Sequence, residues 1–199
     1  MIDEKSTNAP ISESDLLDFV KRVGLETVQD LRTEEAKLLT FKIHPIPTRW
    51  EEYDNFCGLK AEDWKCVKFY DESGNISDDV NNIPSDKGGI YIYVVKPDIL
   101  PIVECAYIMY IGRAHNNGES INLRKRVFHY MYESNDKYKG RILIRKLFNI
   151  YKKYLYVMYI QMDNNDDIDK LEKELVSAIV PPINDDLMQP SLKKAAKMW

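Results

Sequence analysis

The chain contains few cysteines and no long apolar run. Among its 199 residues are three cysteines, Cys57, Cys66 and Cys105, an odd number with no Cys-x-x-Cys spacing. This pattern predicts neither a disulfide framework nor a zinc site, and it favours a reducing compartment. No apolar stretch approaches the roughly 20 residues that a membrane span requires, and the polar, acidic first ten residues are unlike a secretory signal. We therefore expect a cytoplasmic protein with no membrane partner.

The charges are distributed unevenly along the chain. The net charge is −4, with 44% hydrophobic and 30% charged residues, a composition typical of a globular protein. Residues 1–87 hold 11 Lys/Arg against 19 Asp/Glu, a net of −8, whereas residues 112–153 hold 11 against 3, a net of +8. Aromatic side chains are interleaved with this basic block, which favours binding to a phosphate backbone. A solvated helical face is the alternative interpretation of such a charge run.

Alternating apolar residues predict two neighbouring strands in the second half of the chain. The first begins at a Gly-Ile-Tyr sequence and places Tyr91 and Tyr93 on one face. The second covers residues 107–111, with Ile108 and Tyr110 predicted on one face, and we expect the two strands to pair antiparallel. These strands predict a mixed fold of helices and strands (α/β in the broad sense, α+β by class). We expect a small, mainly antiparallel sheet of about three strands flanked by helices.

Three other segments complete this part of the prediction. Residues 154–162 are apolar at odd and even positions alike, which indicates a central strand covered on both faces. Residues 64–70 alternate as a strand does, and residues 78–87 are expected to form a polar linker. Residues 1–87 are predicted as a mostly helical, acidic extension and residues 188–199 as a C-terminal tail, so that residues 88–187 form the main domain.

Two helices carry the side chains of greatest chemical interest. Asn122 suits the N-cap of the first, whose apolar stripe includes Leu123 and Val127. The other is predicted to start after Asp166 or Asp167, and its periodicity places Glu172 at the margin of the buried stripe. Further helices are predicted at residues 12–23, within 26–39, and at 50–56, 141–151 and 191–199. In the helix at 141–151 the basic residues are expected on the outside.

Several short motifs follow one another in a recognisable order. They are Gly89-Ile90-Tyr91, Tyr110-Ile111-Gly112 followed by Arg113, Asn122-Leu123-Arg124-Lys125-Arg126, Tyr130, and Glu172 with Pro181 and Asn184 behind it. Each element alone is weak, but their order and their placement on strands and helices resemble the GIY-YIG nuclease superfamily. The resemblance covers about residues 88–187, and it is closer to a restriction or defence nuclease than to a repair subunit. The loop between Gly112 and Arg126 is longer than is usual there, which leaves His115 unassigned.

The resemblance implies metal-dependent hydrolysis of a DNA phosphodiester to 5′-phosphate and 3′-hydroxyl ends. Glu172 would hold Mg²⁺ or Mn²⁺, Arg126 would brace the oxyanion, and Tyr91 or Tyr110 would orient or deprotonate the attacking water. Sequence does not decide between the two tyrosines, although Tyr91 is favoured as the base. The implied catalytic residues are Tyr91, Tyr110, Arg126, Tyr130, Glu172 and Asn184, of which Asn184 would tie the end of the last helix to the site.

DNA, double-stranded by preference, is the implied partner, and a homodimer is compatible with the chain. The cationic side chains expected to contact nucleic acid are Arg113, Arg124, Lys125, His129, Lys137, Lys139, Arg141, Arg145 and Lys146. For His129, which faces away from Tyr130, a surface histidine is the favoured alternative, and Tyr93 and Tyr107 are expected in the core or at its rim. The competing hypothesis is a catalytically silent nucleic-acid-binding module on the same scaffold.

Overall fold

The computed structural model describes residues 50, 59–97, 105–116, 121–135 and 142–184. The helices predicted at residues 12–23, 26–39 and 191–199 lie outside these ranges, as does nearly all of 50–56. The strands are β1 (Lys65–Lys68), β2 (Gly88–Val95), β3 (Tyr107–Ala114) and β4 (Leu155–Met162). The α-helices are α1 (Asp78–Asn81), α2 (Leu123–Asn135), α3 (Ile142–Ile150) and α4 (Asn165–Ile179), with short 3₁₀ turns at Ala61–Asp63 and Lys152–Tyr154.

The four strands form one antiparallel sheet in the order β1-β4-β2-β3. The α+β class and the antiparallel pairing of β2 with β3 are therefore confirmed, and β4 is central, as its apolar character predicts. The sheet has one strand more than the three expected, because β1 pairs along β4 with Lys65 opposite Tyr159. Part of the predicted N-terminal extension thus belongs to the same sheet.

Each face of the sheet carries its own apolar cluster. Tyr91 and Tyr93 of β2 point to one face, where they pack with residues of α2 and α3. Ile90 and Ile92 point to the other face, where they pack against the apolar stripe of α4. This division follows from the two-residue period of a strand, and it assigns helices to both sides of β2.

An irregularity in β3 changes which of its residues share a face. Tyr93 pairs with Tyr110 but Val94 pairs with Ile108, so that Met109 is an extra residue in the ladder. Ile108 consequently packs with the α4 cluster, whereas Met109 and Tyr110 pack with the tyrosine cluster. The prediction that Ile108 and Tyr110 share a face was wrong, because a bulge reverses the alternation.

The segment predicted as a polar linker also differs from expectation. Ser77 caps α1 by accepting a hydrogen bond from the Val80 backbone N–H. Val80 and, just after the helix, Ile83 are fully buried in the tyrosine cluster. Two apolar residues spaced three apart suffice to bury one face of a single helical turn, although the surrounding residues are polar.

Within the described ranges, no helix is both long and apolar enough to cross a membrane.

Gly89 allows β2 and β4 to approach each other. Its φ is +150°, and a Cβ atom there would lie 1.9 Å from the carbonyl oxygen of Ile160. Since that obstacle is backbone in a central strand, a side chain at this position requires the sheet to separate locally.

We expect Gly89→Ala to lower the free energy of unfolding by at least about 3 kcal/mol, because the added methyl group disrupts the central ladder. Chemical denaturation measures the change. Gly74→Ala is the matched control, since Gly74 also has a positive φ, +79°, but its nearest obstacle is the flexible Lys152 side chain at 3.2 Å. That variant is expected to lose only about 1 kcal/mol. Equal losses in the two variants would contradict the role assigned to the close strand approach.

Candidate active site

Four tyrosines lie together on the face of the sheet that α2 covers: Tyr91, Tyr93, Tyr110 and Tyr130. Tyr93 lies opposite Tyr110 in the β2–β3 ladder, and their ring centroids are 6.0 Å apart. The Tyr110 hydroxyl is 2.7 Å from the hydroxyl of Tyr130, which reaches the sheet from α2. The Tyr93 hydroxyl donates to the Val127 carbonyl at 2.5 Å and so ties α2 to the strand. Tyr93 is a core residue, as predicted, and the half-exposed Tyr107 lies at the rim.

Gly112 makes room for Tyr91. The two residues are directly opposite in the β2–β3 ladder. A Cβ atom on Gly112 would come within 2.5 Å of the Tyr91 hydroxyl oxygen and within 2.7 Å of the Tyr110 ring. The glycine of the second motif is therefore required by the tyrosine of the first, which lies across it.

Arg126 lies beside the tyrosines on the flank of α2. Asn122 caps the helix by accepting a hydrogen bond from the Lys125 backbone N–H at 2.9 Å, which confirms the predicted N-cap. Arg126 Cζ is 5.7 Å from the centroid of the Tyr130 ring, within the range of a cation–π contact. Burial lowers the pKa of Arg126, but the phenols of Tyr91, Tyr130 and Tyr110 outweigh it and raise that pKa above its usual value.

The Tyr91 hydroxyl is buried and has no hydrogen-bond partner among the described residues. It lies close enough to the Arg126 guanidinium to raise the pKa of Arg126, in part as a hydrogen-bond acceptor, although the two groups do not form a well-aligned hydrogen bond. Burial raises the pKa of Tyr91 well above its ordinary value, the other phenols add to the rise, and Arg126 opposes it. The protein groups alone thus hold Tyr91 as a neutral phenol, rather than as the cation-activated phenolate that a tyrosine base requires.

Glu172, which helical periodicity places at the margin of the buried stripe, is more deeply buried on α4, with only 5% of its surface exposed. Its Oε2 accepts a hydrogen bond from Nη1 of Arg113, which extends from β3. Burial raises the pKa of Glu172, and Arg113 acts against that rise, with a smaller contribution in the same direction from Arg126. In turn, the charge of Glu172 raises the pKa of Tyr110. The carboxylate therefore interacts electrostatically with Arg113, Arg126 and Tyr110.

Asp169 and His115 extend this network, and sequence reasoning assigned a role to neither. Arg113 Nε is 3.0 Å from Asp169 Oδ1, and Nε2 of His115 contacts the same oxygen. The hydrogen bond with His115, with the charge of Arg113 in support, holds the pKa of Asp169 below its usual value. The one available signal was the three-residue spacing between Asp169 and Glu172, which places both on one side of a helix.

Asn184 joins the end of the chain's last described segment to β3. Its Oδ1 accepts from the Ile111 N–H at 2.8 Å, and its Nδ2 donates to the Ile111 carbonyl at 2.7 Å. The Ile183 N–H also donates to the Met109 carbonyl, at 3.1 Å. Because β3 is an edge strand, the Asn184 amide satisfies backbone groups that another strand would otherwise bind. These hydrogen bonds fix the backbone of Ile111, which lies between Tyr110 and Gly112.

The cationic residues predicted to contact nucleic acid occupy different environments. Lys125 and His129 are exposed on α2, whereas the Arg124 Nε donates to the Ile83 carbonyl at 2.5 Å. Arg145 and Lys146, predicted on the outside of α3, are instead buried, with 3% and 1% of their surface exposed. Burial lowers the pKa of Lys146 to about 8. Three further residues of the set lie outside the described ranges: Lys137, Lys139 and Arg141.

The donor groups of the site fit a hydrated divalent cation. Mg²⁺ keeps several waters and takes one or two carboxylates, so that a single buried glutamate such as Glu172 is a suitable ligand. The unpaired Tyr91 hydroxyl is a buried polar atom that can hydrogen-bond a water or a phosphate oxygen. In the part of the chain that the structure describes, no three His, Cys, Asp or Glu side chains form a metal-binding group.

Comparisons with models of protein families, with curated proteins and with solved structures found no match to this chain.

We expect Asn184→Ala to lower the free energy of unfolding by about 1–3 kcal/mol, because it leaves the Ile111 N–H and carbonyl unsatisfied at a buried position. Chemical denaturation monitored by tyrosine and tryptophan fluorescence provides the measurement. Asn149→Ala is the control: the Asn149 amide is half-buried and donates one hydrogen bond, to the Arg145 carbonyl at 2.8 Å. A loss no larger than that of the control would show that Asn184 does not secure β3.

Proposed function

We propose that this protein is a metal-dependent DNA endonuclease of the GIY-YIG type. The observation that supports it best is the grouping of Tyr91, Tyr110, Arg126 and Tyr130 on one face of the sheet, with the buried Glu172 near enough to raise the pKa of Tyr110 and to have its own pKa lowered by Arg126. The packing of a sheet does not require a buried carboxylate such as that of Glu172. Nor does it require a guanidinium next to a buried phenol hydroxyl that lacks a well-aligned hydrogen bond. Such groups are costly to bury and are characteristic of sites that perform chemistry.

Each side chain has a task that suits its chemistry. Glu172 would bind the metal, which when bound supplies positive charge at the scissile phosphate. Arg126 keeps its charge at every physiological pH and is held against the Tyr130 ring, so it is suited to stabilise the oxyanion of the phosphoryl transition state. The Tyr110–Tyr130 hydroxyl pair presents a donor and an acceptor beside that guanidinium.

Tyr91 and Tyr110 would divide the handling of water and phosphate. The Tyr91 O–H donates to no group in the described ranges, so it is available to orient an attacking water. Tyr110 already shares its hydroxyl with Tyr130 and is better suited to contact a phosphate oxygen. Since the pKa of Tyr91 is raised in the protein, we assign it orientation of the water in preference to removal of its proton.

A second candidate function is binding of nucleic acid without cleavage. The Arg113–Glu172 ion pair favours this alternative, because a protein cation already neutralises the carboxylate that the metal would need. The burial of Tyr91 points the same way. Under this hypothesis the exposed Lys125 and His129 would still contact a phosphate backbone, while the remaining polar residues would serve only to hold the scaffold.

The biological setting extends the same proposal. We propose double-stranded DNA as the substrate, a cytoplasmic location, and a role in restriction or defence, with a homodimer as one arrangement that would present two sites to the two strands. The basic segment between residues 112 and 153 supports contact with DNA, and the acidic first 87 residues would then serve specificity or a partner.

We expect the wild-type protein to nick supercoiled plasmid with Mg²⁺ or Mn²⁺, and Glu172→Gln and Arg126→Ala each to slow nicking at least about 100-fold. Glu172→Gln removes the metal-binding charge at nearly constant volume. Gel assays of plasmid conversion, with DNA affinity measured in parallel, separate lost chemistry from lost binding.

Glu174→Gln is the matched control, because it makes the same chemical change on the same helix at a half-buried position, where the carboxylate is 3.9 Å from the Lys170 ammonium. It is expected to nick at the wild-type rate. A wild-type protein that binds DNA but never nicks it, with either metal and any substrate form, would establish the binding-only alternative.

Tyr91→Phe is expected to separate stability from activity. Removal of an unsatisfied buried hydroxyl should raise the free energy of unfolding by about 1 kcal/mol, while nicking falls about 10- to 100-fold because the water loses its orienting group. Denaturation and plasmid nicking measure the two effects.

Tyr93→Phe serves as its counterpart, since the Tyr93 hydroxyl bonds to Val127 within the core. That variant should lose stability and, where folded, nick at the wild-type rate. Unchanged nicking by Tyr91→Phe would remove Tyr91 from the reaction.

A further inference from the structure

Arg113 lies between two carboxylates of α4 and contacts each through a different nitrogen. Nη1 donates to Glu172, and Nε is 3.0 Å from Asp169 Oδ1. The Glu172 side chain is 6% exposed, whereas those of Arg113 and Asp169 are 35% and 37% exposed. His115 contacts Asp169 on the same oxygen. The arginine is thus shared between a buried acid and one at the surface.

This arrangement has a consequence for any second cation at Glu172. A guanidinium paired with the carboxylate repels a divalent ion there, because like charges in a partly buried site are weakly screened. Binding of the ion therefore requires Nη1 to leave Glu172. Because Nε is paired with a different carboxylate, the planar guanidinium can pivot as a rigid unit about its contact with Asp169, so that Nη1 leaves Glu172 while the Asp169 ion pair is kept.

We propose that Asp169 is a positioning residue that retains Arg113 when Glu172 takes up a divalent cation, and that it thereby sets the affinity of Glu172 for the metal. This inference rests on the proposed function, since it takes Glu172 as the metal ligand. Without the Asp169 carboxylate, Glu172 is the sole anionic partner that the described network leaves to Arg113, and metal and arginine then compete directly.

The test is a titration of the full chain with Mn²⁺, without DNA, in which electron paramagnetic resonance measures the free ion. We expect one site in the wild type that Glu172→Gln abolishes. Asp169→Asn should weaken that site about tenfold, which corresponds to about 1.4 kcal/mol, and Asp169→Glu should restore most of the affinity. This readout does not depend on nuclease activity.

Asp167→Asn controls for the simple loss of a negative charge. Asp167 is exposed in the first turn of the same helix, two residues from Asp169, and its backbone N–H bonds to the N-cap Asn164 while its carboxylate takes no part in the arginine network. This variant should bind Mn²⁺ with wild-type affinity. If it weakens binding as much as Asp169→Asn, general electrostatics explains the effect and the positioning role is overturned.

The remaining outcomes separate this inference from the proposed function. If Glu172→Gln abolishes Mn²⁺ binding but Asp169→Asn leaves it unchanged while lowering thermal stability, Asp169 is a structural ion-pair residue and only the positioning role fails. If the wild type binds no Mn²⁺, or Glu172→Gln binds as well as the wild type, the metal assignment fails and the positioning role fails with it.

Discussion

The register between β2 and β3 is the constraint on which the rest of the site depends. It places Tyr91 across Gly112 and Tyr93 across Tyr110, and it sends Arg113 to the opposite face with Ile90. A shift of β3 by one residue would exchange the two faces of that strand, carrying Tyr110 to the α4 side and Arg113 into the core beneath α2. The two motif glycines make this packing sterically possible. Gly89 permits the close approach of β4 to β2, and Gly112 leaves space for the Tyr91 ring. Asn184 then fastens the outer edge of β3.

Much of this arrangement can be predicted from the sequence, because it follows from local periods. The alternation of Tyr91 and Tyr93, the N-cap at Asn122 and the burial of Glu172 each depend on residues close in the chain. The antiparallel sheet follows from strand patterns of the same kind. Where a period is regular and the chain is long enough to show it, the sequence specifies which side chain faces the core.

The features that sequence reasoning missed depend on contacts between distant segments. The bulge at Met109 is visible only in the pairing of β3 with β2. The Arg113–Asp169 contact joins residues of a strand and a helix, and the basic side chains of α3 are buried despite a pattern that predicts exposure. The helical turn α1 is anchored by Val80 and Ile83, too few apolar positions to show a period. Tertiary packing decides each of these cases, and local propensity cannot.

Two guanidiniums serve the proposed site from opposite faces of one sheet, and their different surroundings divide the work between them. Arg126 is enclosed by phenols, which carry no charge at neutral pH, so its positive charge remains available to an anionic ligand. Arg113 is paired with the carboxylates of Asp169 and Glu172, so its charge is neutralised within the protein. A phosphate approaching the tyrosines would thus meet the less compensated cation, Arg126, while Arg113 is paired with the acid of α4. Under the proposed function, the same residue type would bind the substrate on one face and hold the structure on the other, because the neighbouring groups determine how much of its charge is neutralised within the protein.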